Sequence, residues 1–151
     1  MTEQKRPTVP RIMPPHLFFL TTALMLGIGY VETGIFGARF WPLSITALGI
    51  WLAAREKNRF VAAGTTFYPG KDASKLITEG AYRYTRNPMY LGMVLGLIGL
   101  WPLTGGYWPL VPFVLFISVI TLKFILAEER RLEALFGDDY RAYKTKVRRW
   151  I

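Results

Sequence analysis

The chain has 151 residues, 52% of them hydrophobic and 15% aromatic, with 19 Lys and Arg against 10 Asp and Glu and a formal charge of +9. With no cysteine, a disulfide framework, a thiolate nucleophile and a Cys-based metal site are all excluded. High apolar content beside a basic excess fits a membrane protein whose charges sit outside the hydrocarbon. It does not fit a nucleic-acid binder, whose Lys and Arg would be spread along a face, because residues 87–122 carry no charge at all.

Residues 1–15 are polar and proline-rich, carry Lys5, Arg6 and Arg11, and read as a short cytosolic tail without a signal-peptide cleavage site. Residues 13–36 form the first expected span. Residues 40–56 form the second, with Trp41 and Arg55 as interface anchors. Residues 57–87 should leave the membrane as a helix extension followed by an ordered cytosolic loop, with F-Y-P-G-K at 67–71 as a turn signal. Within that loop, 75–84 mixes apolar and polar residues without a 3.6 period and reads as extended.

The uncharged run 87–122 is too long for one helix across a core of about 30 Å at about 1.5 Å per residue. Thr104, Gly105 and Gly106 break it into a hairpin of two spans, 88–103 and 107–127, with Pro109 and Pro112 in the first turn of the second, where proline is tolerated. The helix should continue out of the membrane to Phe136 and stop at Gly137. In the short amphipathic helix that follows, Tyr140, Tyr143 and Val147 form an apolar stripe opposite Arg141, Lys144, Lys146 and Arg148, as in a helix lying on anionic lipid. The fold class is therefore an all-α integral membrane protein, one domain over 1–151, with about four transmembrane helices and a cytosolic tail at 128–151.

Charge sets the expected orientation. Three of the 19 basic residues lie before the first span, seven fall from Arg55 to Arg86 and eight from Lys123 onward, which leaves only Arg39 on the opposite side. By the positive-inside rule both termini and the central loop are cytosolic, which in a bacterium means the inner membrane. The segment 80–92 and the pair Glu128 and Glu129 then face one compartment.

That segment reads G-A-Y-R-Y-T-R-N-P-M-Y-L-G and joins a charged, aromatic stretch to an apolar one. Pro88 suits the first turn of a helix and Asn87 before it suits an N-cap. The first turn would leave N–H groups and the positive dipole end among Tyr82, Arg83, Tyr84, Arg86 and Tyr90, a place for a ligand with an anionic group and an aromatic ring. The same residues also suit an interfacial Tyr and Arg belt.

R-N-P-M-Y at 86–90, E-E-R-R-L at 128–132 and F-G-D-D-Y-R-A-Y-K at 136–144, in that order, resemble the isoprenylcysteine carboxyl methyltransferase and phospholipid methyltransferase superfamily from about residue 43 onward. The resemblance implies methyl transfer from S-adenosylmethionine, leaving S-adenosylhomocysteine, to a lipophilic acceptor that enters from the bilayer, of prenyl-cysteine carboxylate or phospholipid amine type. It implies cofactor contacts at Gly80, Tyr82, Arg86, Asn87, Pro88, Tyr90, Leu91, Glu128 and Glu129. The cofactor carboxylate belongs near Arg86 and Asn87, its ammonium near Glu128 or Glu129, and Tyr82 and Tyr90 flank it. Adjacent glutamates point about 100° apart on a helix, so the pair cannot face one ligand in the same way. No catalytic residue and no metal are assigned, because methyl transfer from a sulfonium is mainly a matter of positioning. Relatives often carry His where Asn87 stands, so an imidazole base is not carried over, and ahead of the glutamates this chain offers only Lys123.

Two other readings use different residues. Glu32, near the outer end of the first span, would be the proton site of a small four-helix drug transporter, although it can also pair with Arg39 at the interface. A non-enzymatic membrane scaffold would leave the motifs without a purpose. No Gly-rich loop follows a strand, Gly27 and Gly29 suit helix packing, and His16 sits beside Pro14 and Pro15 at a membrane edge.

Overall fold

The computed structural model describes residues 12–34, 40–66 and 73–151. Helix α1 (Pro14–Thr33) opens on two prolines, whose missing N–H groups cost nothing in a first turn, and the His16 ring accepts the Met13 N–H at Nδ1, 3.3 Å away. Helix α2 (Leu43–Ala62) follows, then a single 3-10 turn (Gly80–Arg83), then α3 (Pro88–Thr104). Helix α4 (Leu110–Val119) runs without interruption through a π-helical segment (Ile120–Ile125) into α5 (Leu126–Lys146). At that junction the Thr121 hydroxyl donates to the Ile117 carbonyl at 2.7 Å, a competing bond of the kind that loosens a helical ladder.

Among the described residues the fold is all-helical, as the apolar runs imply, apart from one isolated parallel bridge between Thr85 and Arg148. Two helices, α1 and the continuous stretch Leu110–Lys146, are long and apolar enough to cross a membrane, and α3 is a shorter apolar helix of 17 residues. Helix α2 packs closely on α3 where Gly49 meets Gly92, since a Cβ on either would strike the backbone of the other helix. Thr46 adds a hydrogen bond from its hydroxyl to the Gly96 carbonyl at 3.0 Å. Small residues that let backbones approach are what holds helices together when lipid removes the hydrophobic drive between them. Met25, Val94, Leu97, Phe116, Ile120 and Ile125 close the core between α1, α3 and α4. Leu20, Leu24, Val31, Val114, Leu115 and Leu122 stay exposed, an apolar surface that suits hydrocarbon and not water.

Several expectations need correcting. Residues 80–83 are not extended: Gly80, at φ +66°, turns the chain into the 3-10 turn, and the Arg59 guanidinium lies where its Cβ would be. The stripe of Tyr140, Tyr143 and Val147 does not face lipid. All three are buried against Leu76, Leu132 and Phe136, and the helix ends at Lys146, before Val147. Gly137 does break the helix, at φ 51° and ψ −120°, and a second helical stretch follows directly. Arg39 and the turn F-Y-P-G-K lie outside the described residues. Glu32 accepts the Tyr107 and Trp108 N–H groups at 3.2 and 3.1 Å, a cap on the turn that leads into α4.

Candidate functional site

The site forms where the start of α3, the start of α5 and the last residues of the chain meet. Pro88 occupies the first position of α3, but Asn87 does not cap it with its side chain. Its amide donates instead to the Arg149 carbonyl at 2.9 Å, and the Thr85 hydroxyl donates to the same oxygen at 3.1 Å. The Arg86 N–H donates to the Arg148 carbonyl at 2.9 Å. The terminal segment is thereby laid along residues 85–87, and Trp150 packs against the core that holds Tyr90 and Phe124.

Behind this clasp lies a cavity of about 300 Å³, at the lower end of small-ligand pockets, about 300 to 1,000 Å³. Tyr82, Arg86, Asn87 and Tyr90 line it from the 3-10 turn and the start of α3, Glu128 and Glu129 from the start of α5, and Phe60, Leu76, Phe124 and Tyr140 complete the lining. Of the residues singled out in the sequence, those six thus come together, while Gly80, Pro88 and Leu91 do not line the cavity. Gly80 and Pro88 shape the backbone that presents the others.

The two glutamates are in different states. Glu129 receives the Arg149 fork on both oxygens, Nε to Oε1 at 2.8 Å and Nη2 to Oε2 at 2.9 Å, and Arg86 Nη2 stands 3.3 Å from Oε1. Burial would push the Glu129 carboxyl up, but Arg149 and then Arg86 outweigh it and hold the group below the usual carboxylate range. Glu128, just beyond the apolar part of the helix, accepts a long hydrogen bond from the Tyr90 hydroxyl at 3.2 Å. Burial pushes its carboxyl up to about 7, against the opposing effect of that bond. Burial, then Glu128 and Glu56, likewise keep the Tyr82 hydroxyl well above its ordinary range, so that it stays a neutral phenol. The Tyr82 ring meets Phe60 edge-on at 5.6 Å, and its carbonyl accepts the Tyr143 hydroxyl at 2.7 Å.

Arg86 carries the clearest chemical signal. Its side chain is only 10% exposed, yet Nε and Nη1 have no hydrogen-bond partner. Leaving a buried charged donor unsatisfied costs about 1 to 3 kcal/mol or more, so such donors in a cavity wall point to a ligand that completes them. A cation with free donors on one side and a weakly bonded carboxyl on the other suit a zwitterionic group. No cluster of three or more His, Asp or Glu that could hold a metal occurs among the described residues. Glu32 is not among the residues lining this cavity.

Residue-by-residue reading of the sequence missed Arg149, Phe60 and Leu76, and it turned Tyr140 and Tyr143 toward lipid. The period of the tyrosines did show an apolar face. Nothing local showed that Arg149 would reach back to Glu129.

The sequence pattern of the phospholipid methyltransferase family matches residues 38–139, which include α3 and both glutamates. The chain is 35% identical to Protein-S-isoprenylcysteine O-methyltransferase of Schizosaccharomyces pombe over 72 residues, 48% of this chain and 30% of that protein. It is 35% identical to Methanethiol S-methyltransferase 1 of Bradyrhizobium diazoefficiens over 88 residues, 55% of this chain and 29% of that protein. A probable protein-S-isoprenylcysteine O-methyltransferase of Oryza sativa subsp. indica is 35% identical over 115 residues, 72% of this chain and 60% of that protein. The chain thus spans under a third of the length of the first two. No solved structure matches it. Because the matched region covers most of the chain and holds Tyr90, Glu128 and Glu129 with most of the other residues that line the cavity, the chain belongs to the phospholipid methyltransferase family, in the superfamily that includes the isoprenylcysteine methyltransferases.

Proposed function

We propose that the protein is an integral-membrane methyltransferase that takes S-adenosylmethionine from the cytosol and methylates a lipophilic acceptor arriving through the bilayer. The observation that carries this reading is that Nε and Nη1 of Arg86 are buried without a partner in a residue that lines the same cavity as Glu128. Arg86 would hold the cofactor carboxylate and Glu128 its ammonium, with Tyr82, Tyr90 and Phe60 supplying aromatic faces. Asn87 has one amide hydrogen committed to Arg149 and serves mainly to fix the backbone beside Arg86. When bound, the cofactor supplies an electrophilic methyl group on a sulfonium. The chain's own part is to orient that group, exclude water behind the clasp of residues 148–150, and leave an apolar approach past Met89 and Phe124.

The four-span arrangement belongs to this reading. Helices α1, α2, α3 and the stretch 107–127 cross the bilayer, and the loop before α3 and the tail after 127 share the cytosolic side on which the basic residues concentrate. The exposed apolar faces of α1 and α4 support it. The isoprenylcysteine in the names of two relatives and the phospholipid in the family's name are both lipophilic acceptors that such a site would admit.

Calorimetry of the purified protein in detergent with S-adenosylhomocysteine tests the reading. Binding with a rise in melting temperature is the expected result. Absence of both in folded protein, across several detergents, refutes it. Labelled cofactor incubated with total membrane lipid then identifies the acceptor by where the label lands.

A further inference from the structure

The proposed function gives roles to Arg86 and Glu128 and leaves Arg149, the better placed partner of Glu129, without one. Resting on that function, we propose that Arg149 is a positioning residue for the cofactor site. By occupying both oxygens of Glu129, it keeps Arg86 from folding onto that carboxylate, so that the Arg86 Nε and Nη1 donors remain free for a ligand carboxylate.

The geometry is specific on this point. A guanidinium facing an unoccupied carboxylate adopts the two-bond fork, which is stronger than a single contact. Arg149 has that fork, with both bonds under 3.0 Å. Arg86 approaches Oε1 through Nη2 alone, at 3.3 Å, and its other two nitrogens bond to nothing. Arg149 reaches Glu129 from the solvent side, 38% exposed where Arg86 is 10% exposed, and from a fixed backbone. Its carbonyl holds Thr85 and Asn87, the residues on either side of Arg86. One residue at the far end of the sequence thus sets both the backbone around Arg86 and the charge that Arg86 would otherwise seek.

The test uses the full chain in detergent and two ligands, S-adenosylhomocysteine and its decarboxylated analogue, which keeps the adenosine and the amine. Arg149→Gln should weaken S-adenosylhomocysteine roughly tenfold to a hundredfold, the range of one charge-assisted bond. The analogue should change by less than about threefold, since it never uses Arg86. Adding Glu129→Gln to Arg149→Gln removes the competing carboxylate and should return S-adenosylhomocysteine to near its original affinity. Arg149→Lys keeps the charge without the fork and covers the case in which the glutamine variant does not fold. It should show a smaller loss, again confined to the carboxylate-bearing ligand. Equal weakening of both ligands, unchanged affinity in the single variants, or no recovery in the double variant overturns the positioning role. If the unmodified protein binds neither ligand, the proposed function itself fails, which is a separate result.

Discussion

Replacing Glu128 with glutamine removes the carboxyl that the cofactor ammonium would meet while keeping its shape and its bond from Tyr90. The structure gives that bond a length of 3.2 Å, too long to hold the group tightly against a better partner. Loss of a charge-assisted bond there is worth about 1.5 to 3 kcal/mol, so affinity for S-adenosylhomocysteine should fall roughly tenfold to a hundredfold. Proton linkage gives a second readout. Burial raises the Glu128 carboxyl from 4.5 to about 7, so without ligand it is mostly protonated at pH 6 and mostly ionised at pH 8. An ammonium needs the ionised form, and one unit below the pKa reduces affinity about tenfold. Affinity should therefore rise as pH climbs to about 7 and level off above it. For the same reason the ligand-free protein loses stability as pH rises from about 4.5 to 7, because its folded state holds a proton that the unfolded chain has released. Calorimetry at pH 6 in two buffers of different ionisation enthalpy counts the protons expelled, approaching one in the unmodified protein and none in Glu128→Gln. Affinity that is flat from pH 5.5 to 8, with no dependence on buffer, refutes this assignment.

Three further outcomes are expected. Gly92→Ala drives a Cβ into the backbone of α2 and should destabilise the protein by about 1 to 3 kcal/mol, whereas Gly27→Ala, with open space beside it, should change the melting temperature little; equal melting of the two variants would disprove the close α2–α3 packing. Glu32→Gln weakens a cap on the Tyr107 and Trp108 amides and should lower thermal stability slightly, with S-adenosylhomocysteine affinity within about threefold. Loss of proton-coupled efflux in vesicles bearing that variant, with normal cofactor binding by Glu128→Gln, would favour a transporter. The chain has no cysteine, so single cysteines at Lys144 and Gly105 can be labelled cleanly. They should react from opposite sides of the membrane, and reaction from one side would overturn the four-span arrangement.

The helices were legible because apolar runs are bounded by prolines and glycines whose backbone effects are local: Pro14 and Pro88 begin helices, and Gly105 and Gly137 interrupt them. The 3-10 turn at 80–83 was not legible, since it depends on Arg59 filling the space beside Gly80. Periodicity showed that Tyr140 and Tyr143 share an apolar face. It could not say that the face meets Leu76 and Leu132, because lipid and protein select the same residues. Asn87 had the right identity and position for a cap, and a long-range acceptor, the Arg149 carbonyl, took its side chain away. In the site, the angular separation of Glu128 and Glu129 was predictable from helix geometry. Which one is already compensated depends on Arg149, twenty residues on, beside another arginine in a stretch that reads as solvated charge. The π-helical segment had no signature in the residues beyond Thr121, whose hydroxyl bonds back to the Ile117 carbonyl.

The clasp of residues 148–150 across the start of α3 also bears on biogenesis. Arg149 comes after α1 to α5 in the sequence, so on a growing chain it is made after all of them, and the pocket can close around Glu129 only then. Closure of the pocket is in this sense a late step of synthesis, reached only when the helices have assembled closely enough for residues 148–150 to lie along residues 85–87.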